Sequence, residues 1–234
     1  MINNIKIFIC LFVIAIANLF SFPENLQSVH IVHSTIFKKN STTYLYGNDG
    51  NSVGVVEVDR SIPIKNGPPT FTLKDPDGSI LAIASPSLLS NFYQSTFGSY
   101  TVFTLYYEIK DSQGELIGSV MNCYIVSHSS DFRESYSSSF YLFNSKIKRV
   151  LDGTTGLLMP GHFFNATKTE DQSSAEQVAY LRTTMYSPWR ANATIDNMDY
   201  FNEKEINPSH YLMTLVIRSQ EISIDDAWKL SSIQ

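Results

Sequence analysis

The chain has 234 residues, of which 43% are hydrophobic and 13% aromatic, so disorder over most of it is excluded and one large all-β domain or two small ones fits its length. A net charge of −5 disfavours nucleic acid as a partner, and disfavours a purely electrostatic hold on anionic lipid. The two cysteines, Cys10 and Cys123, leave Cys123 alone once the N-terminal segment is removed, so a core rather than disulfides must hold the fold.

Residues 1–21 differ from all that follows. Lys6 precedes the apolar run Ile7–Ala17, and Ala15 and Ala17 form an Ala-x-Ala site, with Ser21 a second place for cleavage. This predicts a secretory signal peptide; the competing reading, an uncleaved signal anchor, suits so short a run less well. The mature chain is then secreted or held in the secretory lumen, with no transmembrane span. Removing residues 1–17 takes away Lys6 alone and leaves about −6. Three Asn-x-Ser/Thr triplets fit that route, at Asn40, Asn165 and Asn192, and predict glycosylation on exposed loops.

Residues 22–40 predict a lead-in strand around Val29–Val32. His30 and His33 flank it, three apart, so on a strand they point to opposite faces and are read as solvated side chains rather than a metal pair. From Thr43 onward, strand-like runs alternate with turn signals. Thr70–Lys74 and Ser79–Ala84 flank Asp75-Pro-Asp-Gly78, and Tyr100–Lys110 and Glu115–Val120 flank Asp111-Ser-Gln-Gly114. Both predict hairpins, because glycine supplies the positive φ such turns demand. In Tyr100–Lys110 the apolar face is Phe103, Leu105, Tyr107 and Ile109. Cys123, inside Val120–Val126, reads as a buried, unpaired small hydrophobe. Phe140–Phe143 and Ile147–Leu151 predict further strands, with Asp152–Gly156 as a turn. Gln177–Arg182 and Tyr186–Ile195 read as strands, although Ala175–Met185 also fits a short helix. Turn signals every ten to twelve residues or so are the spacing of a single antiparallel β-barrel or sandwich.

Near the C-terminus, Tyr211–Ile217 is apolar at every position but Thr214. At helical spacing that is apolar on nearly all sides, as expected of an element surrounded by protein. Asn207 suits an N-cap and Pro208 the first helical position. A buried strand is the rival, since period alone does not separate short apolar runs. Ser223–Asp226 predicts the start of a further short helix through Trp228.

No compact catalytic, metal or phosphate-loop motif is present, and no cofactor is expected. His128, His162 and His210 are dispersed. The densest basic cluster is Lys146, Lys148 and Arg149, a candidate anion-binding set, with Lys146 and Lys148 sharing a face if they lie on a strand. A solvated sheet face is the plainer alternative.

The segments Phe71–Gly78 with Ile80–Ile83, and Tyr106–Gly114 with Leu116–Gly118, share a strand, Asp-x-x-Gly turn, strand plan. With the apolar C-terminal element, they make residues 42–230 resemble the tubby C-terminal-like superfamily, which includes the LURP-one-related proteins and phospholipid scramblases. The resemblance implies a closed β-barrel around a central hydrophobic helix, and some contact with lipid. Three features depart from it. Those relatives are typically intracellular, no phosphoinositide-binding basic set matches residue by residue, and the cysteine-rich stretch and membrane-adjacent tail of scramblases are missing. The expected function is a secreted, non-enzymatic binding module for a lipid, glycan or protein. The alternative is a secreted hydrolase with a site assembled from dispersed His and Asp/Glu residues.

Overall fold

The computed structural model describes residues 22–34, 40–59, 68–87, 95–97, 100–127, 135–156, 161–167, 175–184 and 187–220. Residues 1–21, where a signal peptide is expected, and the Ser223–Trp228 segment lie outside them, as does His128. The strands are β1 (Ser28–His33), β2 (Asn40–Tyr46), β3 (Ser52–Asp59), β4 (Thr70–Lys74), β5 (Ile80–Pro86), β6 (Ser95–Phe97), β7 (Tyr100–Asp111), β8 (Leu116–Ser127), β9 (Ser135–Asn144), β10 (Arg149–Gly156), β11 (Gly161–Ala166), β12 (Gln177–Thr184) and β13 (Ser187–Ile195). Neighbours in sequence pair antiparallel, β5 pairs with β7, and β13 returns to β1, which closes a barrel of 12 strands. The short β6 pairs with the far end of the same edge of β7 that β5 uses. Closure removes the open edges that would otherwise invite pairing with other chains.

Period-2 alternation decides which residues face inward. Val29, Ile31 and His33 on β1, Leu105, Tyr107 and Ile109 on β7, and Ala191, Ala193 and Ile195 on β13 are buried, and the residues between them are not. What they enclose is a helix. After the short α1 (Met198–Glu203), α2 (Pro208–Ser219) runs through the barrel, in contact with β4, β5, β8 and β12. Every residue from His210 to Arg218 is buried, the polar His210, Thr214 and Arg218 included, because the barrel surrounds α2 on all sides. The Asn207 side chain accepts from the N–H groups of Ser209 and His210, and Pro208 occupies the first turn, where its missing N–H leaves no bond unmade. The rival strand reading of Tyr211–Ile217 is excluded, since the segment lies inside this helix.

Several local expectations are corrected. Asp152–Gly156 is not a turn but the body of β10. Gly153 serves there as a flat spot: the Phe140 ring lies where its Cβ would be. Ile147 is not in a strand either, since β10 begins at Arg149. The strand expected over Gln177–Arg182 is present as Gln177–Thr184, which excludes the alternative of a short helix there. Cys123 is free but only half-buried. Its neighbour Asn122 points inward, so Cys123 faces outward, with its Sγ 3.8 Å from Thr104 Oγ1. His33 is buried rather than solvated, while His30 stays outside. The triplet asparagines sit in strands rather than loops. Asn40 opens β2, Asn165 is half-buried on β11, and Asn192 is exposed on β13, its Oδ1 2.6 Å from His30 Nδ1. Among the described residues no helix is long and apolar enough to cross a membrane.

Candidate functional site

Four hairpin turns share one construction. In Gly47–Gly50, Asp75–Gly78, Asp111–Gly114 and Asn144–Ile147, the fourth residue's N–H donates to the first residue's carbonyl. The first residue's N–H in turn donates to the residue just past the turn. That plan puts the fourth residue in the left-handed region, and three of the turns place glycine there. The β9–β10 turn has Ile147 instead, at φ 59°. A β-branched residue is strained in that conformation, and Ile147 is also 67% exposed, so burial does not compensate for the strain. The Asn144 side chain holds the loop, accepting from the N–H groups of Lys146 and Lys148 at 3.1 Å each. Ile147 therefore stands at the tip between two lysines.

Facing this turn is the link between α1 and α2. Its Glu205 has φ 52°, and Ile147 and Glu205 are the two non-glycine residues with left-handed backbone among the described residues. Where the turn and the link meet lies an open cleft of about 440 Å³, lined by Lys146, Lys148, Arg149, Tyr200, Glu203, Lys204 and Glu205, among others. Four basic side chains thus meet two acidic ones in a chain that is acidic overall.

The cleft wall is fixed from the barrel side. A bulge at Val150 lets β10 turn its carbonyl outward, and the Tyr200 hydroxyl donates to it at 2.5 Å while accepting from Thr167 N–H at 3.2 Å. Burial of that phenol raises its pKa above the usual value. Lys146 reaches Glu205 at 2.5 Å, and Lys204 reaches Glu203 at 2.7 Å. The bond from Lys146 holds the Glu205 carboxyl below its ordinary pKa, and the bond to Glu203 raises that of Lys204. Arg149 bonds Asp152, which raises its pKa, and lies over the Tyr141 ring at 4.2 Å. Among the described residues Lys148 makes no ion pair. These exposed pairs are worth little individually and exchange readily with an incoming anion.

Lys146, Lys148 and Arg149 are thus brought together, but at a turn rather than on one strand face. The sequence reading missed Lys204, Tyr200 and the bridging Glu205. The signal was the charged triplet Glu203-Lys-Glu205, one residue before the Asn207-Pro208 cap, where a short helix ends with no room to bury its charges. Of the dispersed histidines, His210 lies apart from them. His210 is buried against β8, its Nε2 3.3 Å from Ser119 O and its ring on Gly118, while His33 Nδ1 bonds Thr43 Oγ1 at 2.8 Å. Burial lowers the pKa of both rings to about 4. Among the described residues no three His, Cys, Asp or Glu side chains gather as metal ligands. Comparison of the chain with protein-family models, curated proteins and solved structures finds no match.

Proposed function

We propose that this chain is a secreted, non-enzymatic binding module, a tubby-like barrel whose β9–β10 tip and adjoining cleft engage an anionic lipid surface. The observation that carries the reading is the coincidence of strain and charge. Of the two left-handed non-glycine residues of the described chain, Glu205 lines the basic cleft and Ile147 stands at the turn between two of its lining lysines, and backbone strain is retained where the surrounding structure holds it for use. An exposed Ile147 between Lys146 and Lys148 matches the two chemistries of a lipid interface, apolar below and anionic above.

Magnitudes favour a weak attachment. Each lysine near an anionic surface contributes about 1 kcal/mol, and burying one isoleucine about 1.5–3 kcal/mol. For Lys146, Lys148 and Ile147 the sum is about 3.5–5 kcal/mol, a dissociation constant of about 0.2–3 mM. The net charge of −5 makes the isoleucine necessary, because charge alone would not hold an acidic protein on an acidic surface. Flotation of the secreted protein with phosphatidylcholine vesicles, with and without phosphatidylserine, tests this. Co-flotation is expected with the anionic vesicles alone, and it should weaken as salt is raised. Equal behaviour with both vesicles, or capture by a glycan without vesicle binding, would overturn the lipid reading.

A further inference from the structure

A second cavity, of about 750 Å³, lies beside the first at the end of the barrel where α2 begins, and shares Glu203 and Glu205 with it. Its apolar wall includes Phe22, Ile117, Phe201 and Ile206, and its polar wall includes Asn202 and the two glutamates. Among the described residues no lysine, arginine or histidine lines it. Glu203 and Glu205 also hold Lys204 and Lys146, which stand on the basic cleft's side.

Phe22 belongs to the built structure. Its ring is buried and makes edge contacts with Phe201 at 5.2 Å and Tyr211 at 5.8 Å. A 3-10 turn over Glu24–Leu26 follows and is tied to the rest, since Asn48 N–H donates to Asn25 O and Ile195 N–H donates to Gln27 O. The backbone nitrogen of Phe22 donates to Asn202 Oδ1 at the mouth of the cavity. An amide there needs one acceptor and no charge, yet the cavity wall provides two carboxylates, each also paired with one lysine on the basic cleft's side. That combination suits an ammonium group.

We propose that Phe22 is the mature N-terminal residue, and that its freed α-amino group is seated at this cavity by Asn202 beside Glu203 and Glu205. The inference rests on the leader reading of residues 1–21, and not on the lipid-binding proposal. The step is hydrolysis by a signal peptidase: the Ser21–Phe22 C–N bond breaks, water oxygen goes to the Ser21 carbonyl carbon, and the Phe22 nitrogen takes up protons to become the ammonium. Of the two cleavage points open in the sequence, the one after Ala17 would instead leave Asn18–Ser21 attached, so the seated nitrogen would stay an uncharged amide.

The test begins with the full chain expressed in a secreting eukaryotic cell. The first residue of the product, read by sequencing or intact mass, is expected to be Phe22. A product starting at Asn18, or one retaining the leader, overturns the proposal, and the two results are distinguishable by mass. A second measurement examines the seat itself through amine acylation at about pH 6.5. A seated ammonium should react at least about tenfold more slowly than in the denatured chain, the effect of raising its pKa by about one unit. Asn202→Ala should speed the reaction and Asn202→Asp should preserve the protection. Equal rates in native and denatured protein would overturn the seat even with Phe22 first.

Discussion

His33 and His210 mark the two ends of the buried helix, and both rings are kept neutral by burial. Their folded pKa values of about 4 lie below the ordinary 6.5, so between those values the unfolded chain binds more protons than the native one. Stability is therefore fully present above about pH 6.5 and is lost as pH falls toward 4. At about pH 5 each ring should cost roughly 2 kcal/mol. Urea unfolding at about pH 7.5 and pH 5 checks this, with a lower midpoint expected at pH 5; equal midpoints would mean that the rings are solvated. Tyr211 gives the opposite sign. Its hydroxyl is buried with no hydrogen-bond partner among the described residues, and burial raises its pKa. Tyr211→Phe removes an unpaired polar atom and keeps the ring against Phe22, Phe164 and Phe201. It should raise stability by about 1 kcal/mol, measured in the same urea titration.

The elements differ in how openly the sequence declares them. The Asp75–Gly78 and Asp111–Gly114 hairpins were legible because glycine announces a left-handed turn position. The Asn144–Ile147 turn was not, because isoleucine there contradicts local preference and reads as strand. Gly153 misled in the other direction, since its role is to admit the Phe140 ring, a long-range contact that local reading does not contain. Helix α2 was legible as a buried element with its cap, but only enclosure by the barrel separates helix from strand. That enclosure gives a test: Leu215 is wholly buried, so Leu215→Ala should cost about 2–5 kcal/mol, the lost transfer energy plus the cavity. Thermal or urea unfolding of the variant measures it. A loss well under about 1 kcal/mol would place Leu215 at a loosely packed surface. The basic cleft was half legible. Lys146, Lys148 and Arg149 were visible as a cluster, whereas Lys204 and Glu205 join them only through the docking of α1 by Tyr200.

At the scale of the whole molecule, the closed barrel fills its interior with α2 and leaves little for function inside. Chemistry is pushed to the end of the barrel where α2 begins, where the α1–α2 link, the β9–β10 tip and the Phe22 segment gather around two adjoining cavities. One cavity is basic and faces outward, while the other is acidic and holds the chain's own residue 22. In this account the tip's strain is retained for binding, so stability and binding must move in opposite directions when it is relieved. Ile147→Gly measures both at once. Relief of the left-handed isoleucine gains about 1–2 kcal/mol, and the flexibility of glycine in the unfolded chain offsets up to about half of that. The variant should therefore unfold at a higher temperature than the parent. Its partition onto phosphatidylserine-containing vesicles should fall by about tenfold or more, the loss of one buried isoleucine. A variant that binds those vesicles as well as the parent, whatever its stability, would contradict the account.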